Sequence, residues 1–169
     1  AKFLELLNPP PKSTNPEPLI QYCRTDHPDW DELRFTFESE PNFFVPCHML
    51  LPKGVYRSGG EGRPVVICLQ GHSTGMHISL ARPKFPGDEE TISGGDRDFA
   101  VQAVRRGYIA VAMEQRGFGE LDGTIGSQNR CHQPAMQALL LGRTLIGERA
   151  SDVSRLIDAL ACFPEADCG

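Results

Sequence analysis

The fold is decided by two apolar runs, VVICLQ at positions 65–70 and YIAVAM at positions 108–113. Continuous apolar runs of this length are typical of strands buried on both faces of a parallel sheet. Positions 96–106 between them predict a helix, because Asp96 can cap its start, apolar residues share one side, and Gly107 follows its end. Strand, crossover helix and strand in that order predict a right-handed βαβ unit and an α/β fold.

The sequence on either side adds a hairpin and a further helix. Apolar residues occupy every second position from 33 to 37 and again from 43 to 51, with a turn at 40–42. This period predicts an antiparallel pair of half-buried strands. Downstream, apolar residues spaced three and four apart predict a helical region that begins near Gln133, continues past Gly142 and ends at Pro164.

The first thirty residues differ in composition from the rest. Six of the chain's 14 prolines lie before Trp30. Proline fixes φ and lacks a backbone donor, which excludes a long helix or a central strand there. We therefore expect a proline-rich arm at 1–30 and one α/β domain at 31–169.

Composition excludes several classes of partner. The 169 residues carry 22 acidic and 17 basic side chains, a net charge of −5, and their longest apolar run has six residues. Nucleic acid and membrane are therefore not expected as partners. Six cysteines without tight repeated pairing are interpreted as reduced thiols, and no secretory signal is visible, so we expect a cytoplasmic protein.

The string Gly71-His72-Ser73-Thr74-Gly75 matches G-x-S-x-G, the turn that exposes a nucleophilic serine between a strand and a helix. The preceding strand is predicted, but prolines and glycines in positions 83–95 argue against the following helix. Ser73 is therefore an alternative nucleophile. The other interpretation of the same loop is an oxyanion hole, in which backbone amides at a strand end face an oxygen that becomes negative.

The strings LQGHSTGM (69–76) and RDFAVQAVRRGYIAVAMEQRGFGE (97–120), followed by a long amphipathic helix, resemble the N-terminal half of an α/β-hydrolase, in the branch of acetyl xylan esterases and dienelactone hydrolases. The resemblance implies that the backbone amide of His72 is one oxyanion donor and that Gln70, Gly71 and Met76 are binding residues. EQRGFGE (114–120) is similar to the family's D-x-R-G-x-G-x-S, with Glu114 in place of its aspartate.

Other motifs are weaker evidence for a functional site. Glycines 117, 119 and 123 miss the dinucleotide spacing by one residue, and no cysteine or histidine shows the doubled spacing of a zinc site. We therefore expect neither a cofactor nor a metal. Arg116 is expected to form an ion pair inside the fold.

The resemblance implies serine-dependent hydrolysis of a small carboxylic ester, with an acetylated sugar as one candidate. The family's nucleophile, acid and histidine are expected beyond residue 169, so the isolated chain is expected to be inactive. The open edge of 65–70 is then expected to pair with the remainder of the domain or with another chain.

Two alternatives stay open. In the first alternative, the chain is a non-catalytic binding or assembly module. In the second, it is a self-contained hydrolase. The second alternative would combine Ser73 with His132 or His77 and with Asp122 or Asp96.

Overall fold

The computed structural model describes residues 2–15, 17–56, 59, 62–72, 74–122 and 131–167. Its strands are β1 (Leu19–Arg24), β2 (Trp30–Glu40), β3 (Phe43–Pro52), β4 (Arg63–Cys68), β5 (Ile109–Met113) and β6 (Ala166–Asp167). Its α-helices are α1 (Lys2–Leu7), α2 (Met76–Ser79), α3 (Asp88–Ser93), α4 (Phe99–Arg105), α5 (His132–Leu140) and α6 (Leu145–Leu160).

The strands form one mixed sheet in the order β1-β2-β3-β5-β4-β6. Neighbours from β1 to β5 pair antiparallel, whereas β4 pairs parallel with both β5 and β6. The α/β fold class is confirmed. In this order β4 lies between β5 and the short strand β6.

The predicted hairpin is present as β2 and β3. Their register places Leu33 opposite Met49 and Phe37 opposite Val45. The turn between the strands passes through Asn42, which has a φ of 65°, a left-handed conformation that asparagine tolerates better than most residues. Alternation along these two strands directs Phe35, Cys47 and their neighbours into the core.

The predicted crossover helix is shorter than its sequence suggests. It begins at Phe99, its N-cap position is Asp98, and no side chain caps it. The expectation that Asp96 caps this helix is wrong, since Asp96 lies outside it with a φ of 47°. Two short helices that the sequence did not predict, α2 and α3, precede it because the stretch with scattered prolines still permits single turns.

The C-terminal helical region is divided in two. The helix α5 ends at Leu140, and α6 begins at Leu145 with the Thr144 side chain accepting a hydrogen bond from the Gly147 amide at 3.1 Å. Gly142 lies between them with a φ of 69°. A glycine readily adopts this left-handed conformation and ends a helix, so the predicted helical region is present on both sides of Gly142 but is divided into two helices.

Helices cover both faces of the sheet. On one face, α6 packs on the hairpin and β5, where Leu156 and Leu160 are buried and the rings of Phe35 and Phe163 lie 5.1 Å apart. On the other face, α4 and α2 pack on β3, β4 and β5, and Ala100 and Met76 are buried. The carboxyl ends of β4 and β5 emerge between these two layers.

The strand β4 exists as predicted but is not buried on both faces. Val66 and the adjacent Leu69 are exposed, whereas every residue of β5 is buried. Within the described part of the chain, the edge of β4 away from β5 pairs at Arg63 with Ala166 and at Pro64 with Asp167. These two pairs precede positions 65–70, so the expectation that the edge of 65–70 pairs with further residues stays a prediction.

The proline-rich arm contributes more structure than the sequence indicated. The helix α1 is one of its elements, and β1 adds an edge strand to β2. Both agree with the exclusion of a long helix and of a central strand. None of the described helices combines the length and the apolarity that crossing a bilayer requires.

Candidate functional site

Two loops meet where the parallel strands β4 and β5 end. The carboxyl ends of parallel strands lie at the same edge of a sheet, and ligands of open α/β sheets bind in the crevice beyond it. The first loop, residues 69–75, follows β4; the second, residues 114–122, follows β5. Of the site residues predicted from the sequence, Gln70, Gly71 and His72 belong to the first loop, and Met76 is the first residue of α2.

The side chain of Gln70 anchors the start of the first loop. It is buried, and its Nε2 donates to the hydroxyl of Ser79 and to the backbone oxygen of Arg97 at 3.3 Å. A buried amide of this kind must have partners, because an unsatisfied donor costs free energy. Gln70 therefore attaches the loop to α2 and to the segment before α4, and its side chain is directed into the protein.

Side chains hold two backbone oxygens of the turn, one from the second loop and one from within the turn. Nε2 of Gln115 donates to the backbone oxygen of Gln70 at 2.6 Å, and the hydroxyl of Thr74 donates to the backbone oxygen of Gly71 at 2.7 Å. His72 follows on the surface, with its ring edge-on to Phe118 at a centroid distance of 6.1 Å. The turn thus presents the Gly71-His72 peptide at the end of the sheet.

Glu114 joins the two loops. It is only 1% exposed, and its carboxylate accepts the backbone amide of Met76 at 3.1 Å and that of Glu120 at 3.0 Å. Burial raises the pKa of Glu114, and these two amides oppose that effect. One carboxylate therefore fixes the exit of the first loop against the second.

Two glycines make this close approach of the loops possible. A Cβ on Gly119 would lie 2.1 Å from Oε2 of Glu114, and a Cβ on Gly75 would lie 2.9 Å from Cα of Gly119. Separations below 3.0 Å are not found for real Cβ atoms. The G-x-S-x-G pattern is thus explained at Gly75 by backbone packing.

A charged cavity of about 280 Å³ lies beside the exit of the first loop. Its lining includes Arg34, His48, Arg82, Lys84 and Glu120. Below it, Glu32 accepts two hydrogen bonds from Arg82, at 2.9 and 2.5 Å, and one from Nδ1 of His48 at 2.5 Å.

These contacts set the protonation of the groups around that cavity. Burial raises the pKa of Glu32, but hydrogen bonds from His48 and Arg82 outweigh it and lower the pKa to about 2. Burial lowers the pKa of His48. A neutral imidazole fits both neighbours of His48, because Nδ1 can donate to Glu32 while Nε2 accepts from Arg34 at 2.7 Å.

The other candidate groups have these positions. Ser73 lies outside the described residues. His77 is buried and Nε2 bonds Oδ2 of Asp88 at 3.0 Å, a partner not considered from the sequence. His132 is exposed at the start of α5, and Asp96 is exposed before α4.

Arg116, from the second loop, lies inside the fold as predicted. Its guanidinium bonds Asp152 at 2.7 Å and Glu40 at 2.6 Å, and it lies over the Phe43 ring at 3.9 Å. These partners attach the loop after β5 to α6 and to the end of β2. Among the residues with described positions, no group of three or more His, Cys, Asp or Glu side chains is arranged to hold a metal ion.

Sequence reasoning missed the roles of Thr74, Glu114 and Gln115. A signal existed for two of them, since Glu114 and Gln115 are polar residues directly after a fully buried strand. Thr74 gave no such signal, because its contact depends on the path of the turn.

No family model and no curated protein matches the chain. Solved structures do match it. A protein of Bacteroides fragilis NCTC 9343 assigned as an acetyl xylan esterase matches 98% of the chain with a TM-score of 0.77 and 17% identity. Acetyl xylan esterase 1 of Thermoanaerobacterium sp. JW/SL YS485 matches 98% with a TM-score of 0.57 and 17% identity, and a methylesterase matches 96% with 0.53 and 20%.

The chain spans 43%, 45% and 30% of the lengths of these three proteins, respectively. At such identities the likeness concerns the fold. The chain therefore has an α/β fold similar to that of a part of each of these esterase structures.

Proposed function

We propose that this chain is the N-terminal part of a serine-dependent hydrolase that acts on small carboxylic esters. The observation that carries the proposal is the turn after β4, where hydrogen bonds hold the backbone oxygens of Gln70 and Gly71, and the Gly71-His72 peptide lies at the carboxyl ends of the parallel strands β4 and β5. The likeness to esterase structures supports the same conclusion.

In this proposal, the chain supplies one oxyanion donor. A serine oxygen attacks the ester carbonyl carbon, the carbonyl oxygen becomes negative, and the backbone N–H of His72 donates a hydrogen bond to it. A histidine removes the serine proton and later transfers it to the leaving alcohol, and an acidic residue orients that histidine. The serine, histidine and acid come from residues after position 169.

The position of β6 supports the proposal that later residues supply the nucleophile beside the His72 N–H. It starts beside the beginning of β4 and runs parallel to it, so residues that continue it would end next to Gln70 and His72. In α/β-hydrolases the nucleophile lies on the turn after such a strand. An acetylated sugar is the first substrate to test, because two of the similar structures are named as acetyl xylan esterases.

The backbone role of His72 can be tested with two substitutions in the full-length protein. His72→Pro removes the N–H, and the loss of one oxyanion donor lowers kcat by about 10²–10³-fold. His72→Ala keeps the N–H and changes kcat much less. Hydrolysis of an acetate ester is measured for both variants, with the thermal unfolding midpoint as a control for folding.

Two outcomes contradict the proposal. Equal activity of His72→Pro and wild type would exclude the backbone donor, and a loss above this range in His72→Ala would assign the chemistry to the imidazole. A fluorophosphonate is expected to label the full-length protein but not the 169-residue chain. Labelling of Ser73 in the short chain would instead favour a self-contained hydrolase.

A further inference from the structure

We propose that the hydroxyl of Thr74 is a positioning group that sets the direction of the His72 N–H. The inference rests on the proposed function, in which that N–H is the oxyanion donor. Thr74 touches neither substrate nor reacting atoms in this proposal. It acts through the backbone oxygen of Gly71, to which its hydroxyl donates at 2.7 Å.

The geometry of the peptide bond links the Gly71 oxygen to the His72 N–H. The C=O of Gly71 and the N–H of His72 belong to one planar peptide group, and in a trans peptide they point in opposite directions. The described part of the chain contains no cis peptide bond. A hydrogen bond that fixes the Gly71 oxygen therefore fixes the direction of the His72 N–H as well.

Packing leaves the Gly71 side of this peptide open, whereas the His72 ring contacts Phe118. A Cβ at Gly71 would meet no atom within 4 Å, and both Gly71 and His72 are exposed. Glycine also has more backbone freedom than any other residue, so the peptide plane could rotate with little steric resistance. The bond from Thr74 restrains the rotation that steric contact leaves open.

The residues on both sides of the peptide are already fixed. Gln115 holds the backbone oxygen of Gln70 at 2.6 Å, and Glu114 holds the amide of Met76 at 3.1 Å. The Gly71-His72 peptide lies between these two fixed residues. There the hydrogen bond from the Thr74 hydroxyl to the Gly71 oxygen restrains the peptide plane. Thr74 is also next to Gly75, whose close contact with Gly119 holds the end of the turn in position.

The test compares Thr74→Val with Thr74→Ser in the full-length protein. Valine keeps the shape of threonine but lacks the hydroxyl, and serine keeps the hydroxyl. Because the donor is misdirected rather than removed, we expect Thr74→Val to lower kcat roughly 10–100-fold, less than the loss of a whole donor. KM is expected to stay within about twofold, since only the transition state carries the oxyanion.

Thr74→Ser is expected to keep kcat within about threefold of wild type. A boronic acid inhibitor, which forms a tetrahedral adduct, is expected to bind Thr74→Val more weakly by the same factor as kcat falls. Thr74→Ala repeats the measurement if the valine variant does not fold. Thermal unfolding midpoints are compared for all variants.

The outcomes separate this inference from the proposed function. An inactive His72→Pro together with a fully active Thr74→Val overturns the role of Thr74 and leaves the donor intact. Equal losses in Thr74→Val and Thr74→Ser, or a rise in KM at unchanged kcat, also overturn it. Full activity of His72→Pro overturns the proposed function itself.

Discussion

Glu32 and Glu114 are both buried carboxylates, and their surroundings affect them in opposite directions. Glu32 accepts hydrogen bonds from the Arg82 guanidinium and from Nδ1 of His48, and its pKa is lowered to about 2. Glu114 is bonded by two neutral backbone amides, and burial raises its pKa. A charged partner offsets the loss of water around a carboxylate, whereas two amides do so only in part.

The stability supplied by Glu32 is expected to depend on pH. Its folded-state pKa of about 2 lies below the ordinary value of 4.5, so the contribution is present above pH 4.5 and lost as pH falls toward 2. Glu32→Gln is expected to lower the free energy of unfolding by about 1.5–3 kcal/mol at neutral pH. Urea unfolding at pH 7 and pH 3 measures this difference.

The exposed Glu17→Gln is the matched control for that measurement. It is expected to follow wild type at both pH values, because Glu17 lies on the surface. A difference between Glu32→Gln and wild type that stays constant with pH would contradict the assigned ion pair.

At the scale of single elements, the apolar periodicity of the sequence predicted those strands whose side chains pack in the core. The hairpin and β5 were recognisable because alternating or continuous apolar residues face the core in these strands. The strand β1 was not, since its residues are mostly exposed and prolines flank it. The helices α2 and α3 have four and six residues, too few for a helical period to show. The contacts of Glu114 and Thr74 depend on how two loops meet, which no local pattern encodes.

The helix α6 offers a test of which face holds the sheet. Leu156 is fully buried against the sheet, whereas the adjacent Ile157 is 47% exposed. Leu156→Ala is expected to lower the free energy of unfolding by about 2–5 kcal/mol. Ile157→Ala, the same kind of truncation one position on, is expected to change it by less than about 0.5 kcal/mol. Chemical denaturation of the 169-residue chain measures both, and similar losses would contradict the orientation of α6.

At the scale of the whole molecule, the covering of the sheet differs between the hairpin and β4. The hairpin is buried under α6. On the edge of β4 away from β5, only its first two residues pair with another strand among the described residues. The chain also spans less than half of each similar structure. These facts support the proposal that further residues of the same polypeptide pair with β4.

Hydrogen exchange can test that proposal. Successive amides of a strand point to opposite neighbours, so every second amide from Val66 to Leu69 faces away from β5. Those amides are expected to exchange quickly in the 169-residue chain and slowly in the full-length protein. The alternate amides, which bond to β5, serve as the internal control. Strong protection of both sets in a monomeric 169-residue chain would overturn the proposal.

The separation between the hairpin and its covering helix has a consequence during synthesis on the ribosome. The hairpin is complete at Pro52, but α6 ends at Leu160, and a ribosome needs about 5–20 s to add the roughly 100 residues between them. During that interval Leu33, Phe35 and Met49 form an apolar surface with no helix to cover it. We therefore expect translation products that stop before α6 to keep this surface uncovered and to aggregate more readily than chains that include the helix.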